Sequence, residues 1–205
     1  SGCGKPKEKE KILDPGVYAK METTKGTLTI ELDYKTAPML VANFVGLAEG
    51  IFLDNQTEGS GFFDGTSFYE VTRGVLVKGG VPFDKTRSLP GYYLPRKIHP
   101  ELMHDKPGAL SMVNEESQIL AYKFSIGLKP LAWLDHREPV FGYVVDGMDV
   151  LNKISEGDSL KKVEILRIGE NAERFVITKE VFNQLKQDVE RSLSESEQTL
   201  VNETI

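Results

Sequence analysis

The chain has 205 residues, of which 40% are hydrophobic and 27% are charged, and its formal net charge is −6. This length and composition are typical of one globular domain with a modest extension. The acidic balance argues against a nucleic-acid partner, because nucleic-acid binding requires a basic surface. The sequence has no run of about 20 apolar residues, so no membrane span is predicted.

The N-terminal residues predict a lipid anchor followed by a tether. The sequence Ser1-Gly2-Cys3 resembles the end of a bacterial lipobox, in which small residues precede a lipidated cysteine. We interpret the apolar segment that comes before such a cysteine as removed. Residues 4–11 consist of Lys, Glu, Gly and Pro, so residues 1–16 are expected to form a flexible charged tether.

A lipid on Cys3 implies attachment to a membrane in the bacterial cell envelope, as a periplasmic or surface lipoprotein. A fusion remnant with an accidental cysteine is the alternative.

The cysteine and histidine content predicts neither a metal site nor a cofactor. Cys3 is the single cysteine, so no internal disulfide can form. His99, His104 and His136 lack the spacing of metal ligands, and each is interpreted as a surface or loop histidine.

The first elements of the domain are a hairpin and a helix. Apolar and polar residues alternate over 17–23 and 27–32, which predicts two antiparallel strands with one buried face. Pro38 favours a helix start, and apolar residues then recur at helical spacing until Gly50.

Short strands dominate the rest of the domain. Five of the ten prolines fall within residues 81–107, which excludes regular structure for most of that span. A loop is predicted at 51–61 and a short helix at 148–155. Many short strands with two brief helices predict a mainly β fold, a closed or nearly closed antiparallel barrel, over residues 17–169. The strands are predicted at 67–71, 75–78, 108–113, 123–128, 141–145 and 163–168.

Residues 170–205 are predicted to form a C-terminal extension with a helix at about 178–194. Thr178 is a suitable N-cap, and the helix carries one apolar stripe. The stripe is expected to pack across the barrel surface, with partner binding or dimerisation as the alternative. Residues 194–205 are polar and are expected to fray. The stripe consists of Val181, Phe182, Leu185, Val189 and Leu193.

The segment 62–80 carries a recognisable pattern. Phe63-Asp64-Gly65-Thr66 and Gly79-Gly80 match parts of the run Phe-Asp-Gly-Thr, Phe-His-Arg-Val and Gln-Gly-Gly in cyclophilins, a family of peptidyl-prolyl cis-trans isomerases. Other segments resemble the same family in the same order, from about Tyr18 to Ile168. They are Thr24-Lys25-Gly26-Thr27, Ala37-Pro38 with Val41-Ala42-Asn43-Phe44, His99-Pro100-Glu101-Leu102, Pro107-Gly108-Ala109-Leu110-Ser111-Met112, Trp133-Leu134-Asp135 and Val140-Phe141-Gly142.

The resemblance implies a cyclophilin-like barrel whose groove binds proline-containing protein segments and speeds rotation about the X-Pro bond. The uncatalysed barrier is about 18–20 kcal/mol, because amide resonance must be lost. In cyclophilins an arginine donates a hydrogen bond toward the prolyl nitrogen, and apolar side chains hold the proline ring. Glutamine, asparagine and backbone groups hold the peptide on either side, so the reaction needs no cofactor.

Matching the motifs places altered residues in the first half of this groove. Glu70 takes the position of the arginine, and a carboxylate cannot donate a hydrogen bond at neutral pH. Val75 and Leu76 take the positions of the aromatic residue and the methionine of the proline pocket. Lys78 takes the position of the glutamine before Gly-Gly.

The second half of the groove is matched by counting back from Trp133, with the register open by one residue. Lys123 then takes the position of a glutamine, Ser125 that of a pocket phenylalanine, and Glu138 lies near that of a histidine. Asn114 either holds substrate backbone or caps a loop, and Trp133 either contacts ligand or is a partly buried structural residue. The substrate groove is therefore expected to contain Val75, Leu76, Lys78, Val113, Asn114, Lys123, Ser125, Trp133, Leu134 and Glu138.

The new groove charges suggest ion pairs. Glu70 and Lys78 are expected to form a cross-strand pair, and salt bridges among these two, Lys123 and Glu138 are expected to fill the former pocket. Four independent, solvated charges are the alternative. Arg73 is three residues from Glu70, an odd spacing that places it on the opposite strand face, so it is not expected to replace the lost donor.

Three functions follow. The first is a cyclophilin-like protein that binds X-Pro segments of envelope proteins with weak or lost isomerase activity, and this one is preferred because of Glu70. The second is an active though slow isomerase, and the third is a surface interaction protein that uses the barrel as a scaffold. Cyclosporin is expected to bind poorly, because Val75 and Ser125 replace aromatic residues that form walls of the pocket in the family pattern.

Overall fold

A computed structural model describes residues 12–52 and 60–203, with side chains up to residue 199. Nine strands and four α-helices occur in this part of the chain. The strands are β1 (Gly16–Thr23), β2 (Gly26–Leu32), β3 (Thr66–Thr72), β4 (Leu76–Pro82), β5 (Tyr93–Leu94), β6 (Ala109–Glu115), β7 (Gln118–Gly127), β8 (Val140–Asp146) and β9 (Ser159–Ile168). The helices are α1 (Pro38–Ala48), α2 (Met148–Leu151), α3 (Glu170–Glu173) and α4 (Lys179–Glu203).

The strands form one closed antiparallel barrel, as the sequence predicts. Their order is β4-β3-β9-β1-β2-β8-β6-β7, and pairing between β4 and β7 closes the ring. The short strand β5 adds to the edge of β7. Closure removes the free sheet edges that would otherwise expose unpaired backbone groups.

Phenylalanine rings fill the centre of the barrel. Phe44 of α1 stacks on Phe63 with ring centres 4.7 Å apart, and Phe63 meets Phe124 of β7 edge to face at 5.8 Å. Phe68 of β3 and Phe141 of β8 complete the cluster, and all five rings are fully buried. Burial of such rings is the largest apolar contribution that single residues make to folding.

The helix α1 is buried on all sides rather than along one stripe. Residues 39–48 are all buried, because the barrel lies on one side of the helix and α4 on the other. Asn43 is the polar exception, and its amide donates to the carbonyl of Ala121 at 2.7 Å while its oxygen accepts from Tyr92 at 2.8 Å. A helix that is apolar on all sides is stable in water only when it is covered on all sides, as α1 is here.

The C-terminal helix packs on the barrel domain. Phe182 is buried, with its ring 4.9 Å from that of Phe52 and 5.6 Å from that of Tyr92. Leu185 and Val189 are packed against the same core. The packing interpretation of the apolar stripe is therefore confirmed for Phe182, Leu185 and Val189, whereas Val181 is 39% exposed.

The bounds of several elements differ from those predicted. Strand β7 begins at Gln118, five residues earlier than expected, and α2 ends at Leu151, four residues earlier. Helix α4 continues to Glu203 instead of fraying at 194. Side-chain hydroxyls bond back to carbonyls one turn earlier, from Ser194 to Glu190 and from Thr199 to Glu195, so the polar end of the helix satisfies its own groups.

Some predicted features lie outside the described residues. These are Cys3, the charged run at 4–11 and most of the loop predicted at 51–61. Within the described parts of the chain, no helix combines the length and the apolar character needed to cross a membrane.

Candidate functional site

Four neighbouring strands bring the predicted groove residues together. Lys78 of β4 is paired with Glu70 of β3 on one side and with Ser125 of β7 on the other. Ser125 is in turn paired with Ser111 of β6. These residues therefore form one row across the barrel wall, and the segment 132–138 lies beside it.

Two glycines allow β4 and β7 to approach closely at this row. Gly80 has a φ of +100°, which disfavours any residue with a side chain, and a Cβ there would lie 2.0 Å from the carbonyl oxygen of Tyr122. A Cβ on Gly79 would lie 2.7 Å from the ring of Phe124. The Gly-Gly pair of the sequence pattern is thus required by packing at the floor of the groove.

The predicted Glu70–Lys78 ion pair is present. Lys78 Nζ lies 3.0 Å from both carboxylate oxygens of Glu70. The lysine side chain is 21% exposed and the glutamate 44%, so the pair is partly shielded from water. An anion on β3 therefore faces a cation on β4.

Lys123 takes a partner that the sequence did not predict. Its Nζ lies 2.7 Å from Glu115 at the end of β6 and 5.0 Å from the ring centre of Tyr69. The expectation that Lys123 and Glu138 join the Glu70 pair in filling the pocket with salt bridges is therefore wrong. Glu115 can reach Lys123 because β6 and β7 form a hairpin whose pairing shifts register between Met112 and Asn114, which interrupts the regular alternation of side chains on β7.

Glu138 is buried in a network of hydroxyl groups. It is only 6% exposed, and its Oε2 accepts from Ser125 at 2.8 Å and from Ser111 at 3.0 Å. In the described part of the chain no lysine or arginine pairs with it. A buried carboxylate is costly without compensation, and here two hydroxyl donors replace the missing cation.

His104 extends the same network: it lies in a loop, as one of its two interpretations holds, but it is buried and not at the surface. The side chain is 1% exposed, one ring nitrogen lies 2.9 Å from Asp135, and the other lies 3.0 Å from Ser111. The backbone amide of His104 also donates to Asp135 at 2.8 Å. His136, by contrast, is exposed, and His99 is half-buried.

The network links three separate parts of the chain. Asp135 and Glu138 come from the segment after β7, His104 from the loop before β6, and the two serines from β6 and β7. Ser111 and Ser125 are themselves 2.8 Å apart. The five side chains form one largely buried polar cluster.

The other groove residues fall into buried and accessible groups. Leu76 and Val113 are buried, and Val75 and Leu134 are half-buried. Trp133 is 53% exposed, so about half of its surface is accessible. Asn114 donates to the carbonyl of Arg137 at 3.0 Å, which ties β6 to the segment 132–138. This contact matches the loop-capping interpretation of the asparagine.

Arg73 does not enter the groove. It is exposed in the turn between β3 and β4, beyond the end of the paired residues.

Sequence reasoning missed Tyr69, which lies beside Glu70. Its hydroxyl oxygen is buried and has no hydrogen-bond partner. Burial raises the pKa of the phenol well above its usual value, and the carboxylates of Glu115, Glu70 and Glu138 raise it further. The signal available in the sequence was the exchange of His for Tyr in the Phe-His-Arg-Val run.

Ser111, Asp135 and Glu115 were also missed as partners. Each lies within or next to a quoted motif, yet nothing in the local pattern says which charged or hydroxyl group it meets. Across residues 12–52 and 60–203, no three or more His, Cys, Asp or Glu side chains are grouped so as to hold a metal ion.

Comparison with known proteins identifies relatives along most of the chain. Residues 18–170 match the family described as "Cyclophilin type peptidyl-prolyl cis-trans isomerase/CLD". A peptidyl-prolyl cis-trans isomerase of Helicobacter pylori is 32% identical over 157 residues, which are 76% of this chain and 90% of that protein. Peptidyl-prolyl cis-trans isomerase A of Mycobacterium tuberculosis is 37% identical over 133 residues, 62% of this chain and 73% of that one.

Solved structures resemble the barrel. A cyclophilin type peptidyl-prolyl cis-trans isomerase from Cryptosporidium parvum has a TM-score of 0.62 at 24% identity and covers 74% of this chain and 98% of its own. A cyclophilin from Hirschia baltica has a TM-score of 0.55 at 19% identity and covers 74% of both chains. At these identities the likeness concerns the fold.

Proposed function

This chain belongs to the cyclophilin-type peptidyl-prolyl cis-trans isomerase family, and from that premise we propose that it binds proline-containing protein segments while isomerising them slowly or not at all. The observation that carries the proposal is the Glu70–Lys78 ion pair. It occupies the position from which a cyclophilin arginine donates a hydrogen bond toward the prolyl nitrogen. An ionised carboxylate accepts hydrogen bonds and repels the carbonyl dipole of the peptide.

The altered pocket supports the same proposal. The proline ring of a substrate requires apolar walls, and the network of Glu138, Ser125 and Ser111 is polar and closely bonded. Removing one transition-state donor commonly costs about 10² to 10³ in rate. A pocket that also disfavours the proline ring adds to that loss.

A slow but active isomerase is the second candidate. Its support is that Trp133, Leu134 and Asn114 keep the residue types of the family pattern, and that the ring of Trp133 is exposed for contact with a ligand. The scaffold alternative, with α4 as the binding element, is less well supported, because the apolar side of that helix faces the barrel.

The deciding experiment is a protease-coupled isomerase assay on a proline peptide, with the H. pylori relative measured alongside. We expect the wild-type protein to be slower than the relative by about 10² or more, because the donor is absent. Glu70→Arg alone is expected to restore little isomerase activity, because Lys78 loses its partner and the Glu138 network is unchanged. Glu70→Arg combined with Lys78→Gln introduces the residue types of the family pattern at both positions. This double variant is expected to have higher isomerase activity than Glu70→Arg alone.

Glu22→Arg is the matched control for charge reversal, because Glu22 is exposed on β1 and makes only a 3.8 Å contact with Lys161. Its rate should equal that of the wild type. Wild-type activity within about tenfold of the relative would instead establish the active isomerase. Full recovery with Glu70→Arg alone would show that the pocket still accepts proline.

We expect cyclosporin to bind poorly for the same reason. Val75 and Ser125 provide less apolar wall than the aromatic residues of the family pattern, and Ser125 is bonded to a buried carboxylate. Isothermal titration calorimetry checks this expectation. A tight complex would show that the groove rearranges to regain an apolar surface.

We also propose that the protein is a lipoprotein of the bacterial cell envelope and that its targets are envelope proteins. The proposal rests on the Ser1-Gly2-Cys3 sequence and the charged residues that follow it. Mass spectrometry of the protein made in a bacterium from its full gene should show a lipid on Cys3, absent in Cys3→Ser. An unmodified Cys3 would contradict the proposal.

A further inference from the structure

Tyr69 occupies a bulge in the groove wall. Phe68 is paired with Gly79 and Glu70 with Lys78, so one extra residue, Tyr69, stands on β3 without an opposite partner on β4. The side chain before it, Phe68, is fully buried in the barrel core. Bulges change the direction of a side chain and often occur beside binding sites.

The hydroxyl of Tyr69 is buried and unpaired. Its oxygen is shielded from solvent and has no hydrogen-bond partner. An unsatisfied buried donor lowers stability, so such groups are rare in native proteins and call for an explanation. Tyr92 shows the ordinary arrangement, because its partly buried hydroxyl donates to Asn43 at 2.8 Å.

The surroundings of Tyr69 belong to the groove. The ammonium group of Lys123 lies 5.0 Å from its ring centre. The carboxylates of Glu115, Glu70 and Glu138, which come from three different parts of the chain, are close enough to raise its pKa beyond the effect of burial. The phenol therefore keeps its proton at neutral pH and remains a hydrogen-bond donor.

The neighbouring charged donors are already engaged. Lys78 is bound by both oxygens of Glu70, and Lys123 is bound to Glu115. A peptide that enters the groove presents backbone carbonyls, which need donors. The phenol is an uncharged donor with no partner to give up.

We propose that the Tyr69 hydroxyl is a ligand-binding group that donates a hydrogen bond to a backbone carbonyl of the bound segment. Lys123 moves away from the ring of Tyr69 as the segment enters. The carbonyl oxygen of the segment then accepts a hydrogen bond from the Tyr69 hydroxyl. The inference rests on the proposed function, since it requires that the groove bind a proline-containing segment. It makes Tyr69 a residue that contacts the backbone of the bound peptide.

The test uses Tyr69→Phe, which removes only the hydroxyl, with Tyr92→Phe as the matched control. The binding of an acetylated Ala-Ala-Pro-Phe amide is measured by NMR titration, and the melting temperature of each protein is measured without peptide. For Tyr69→Phe we expect about tenfold weaker binding, the effect of one lost hydrogen bond, with an unchanged or higher melting temperature. For Tyr92→Phe we expect a lower melting temperature and unchanged binding.

Each other outcome overturns the inference in a recognisable way. Equal peptide affinity of Tyr69→Phe and wild type would remove Tyr69 from the site while leaving the proposed function intact. A melting temperature that falls as it does for Tyr92→Phe would assign the hydroxyl a structural role. Absence of any titration shift in the wild-type protein would refute the proposed function, and the inference with it.

Discussion

At the scale of single residues, Glu138 and Ser125 depend on each other. The Glu138 carboxylate lies against β7, with one oxygen 2.8 Å from the hydroxyl of Ser125. The carboxylate is 6% exposed and has hydroxyl donors in place of a cation. The carboxylate and the hydroxyls are complementary in hydrogen bonding, so a change on either side leaves the other without its partner.

Glu138→Ala should therefore be destabilising. The hydroxyls of Ser111 and Ser125 lose a shared acceptor, and a space opens in the wall, which together cost about 1–3 kcal/mol in the free energy of unfolding. Urea denaturation measures this cost.

The control for Glu138→Ala is Glu115→Ala, which removes a 46% exposed carboxylate from its pair with Lys123. Exposed salt bridges contribute little to stability, so Glu115→Ala is expected to lower the free energy of unfolding by less than about 1 kcal/mol. Equal losses for the two variants would mean that the buried network adds no stability.

At the scale of elements, α4 serves as a cover for α1. The helix α1 is apolar on all sides, and the barrel alone leaves one of those sides open to water. Phe182, Leu185 and Val189 of α4 pack over that side together with Phe52 and Tyr92. Thr178 begins the helix by accepting from the amide of Val181 at 3.2 Å, as its predicted N-cap role requires.

Phe182→Ala tests this role. Removal of a buried phenylalanine ring is expected to lower the free energy of unfolding by about 3–5 kcal/mol. Val181→Ala is the neighbouring control: Val181 is 39% exposed, so the substitution should change the free energy of unfolding by about 0.5 kcal/mol or less. A small effect of Phe182→Ala in urea denaturation would indicate that α4 is only loosely attached.

At the scale of the whole molecule, the extension and the barrel form one folded unit. Arg167 of β9 holds the carboxylate of Glu49, just after α1, at 2.6 and 3.0 Å, and its Nε donates to the carbonyl of Phe175 at 3.0 Å. One guanidinium thus connects the last strand, the first helix and the start of the extension. The planar guanidinium carries several N–H donors in a fixed arrangement, so it can hold these partners in a defined geometry.

Much of the fold could be predicted because its signals are local. The alternation in β1 and β2, the proline at the start of α1 and the proline-rich span at 81–107 each indicate backbone conformation without knowledge of distant residues. The early start of β7 was missed because Gln118 and Tyr122 carry no clear alternation, and pairing with β5 and β6 decides their conformation. Tertiary context commonly overrides weak strand propensity in this way.

The candidate site was predicted unevenly. The Glu70–Lys78 pair was found because the two residues lie on adjacent paired strands of one hairpin. The loop position of His104 agrees with its interpretation as a surface or loop histidine, but its burial was missed, since its partners Asp135 and Ser111 come from other segments. Tyr69 was missed because a bulge, which no residue pattern signals, controls its direction.

The sequence by itself determined the barrel and the family, and it placed Glu70 and Lys78 on neighbouring strands of one hairpin. Only the tertiary structure decided which partner each new charge takes: Lys123 pairs with Glu115, and Glu138 is buried between two serines. The physical reason is that strand periodicity fixes the face on which a side chain lies, whereas its contacts depend on barrel closure. Closure brings together residues far apart in the chain, and their hydrogen bonds exist only once the barrel has formed.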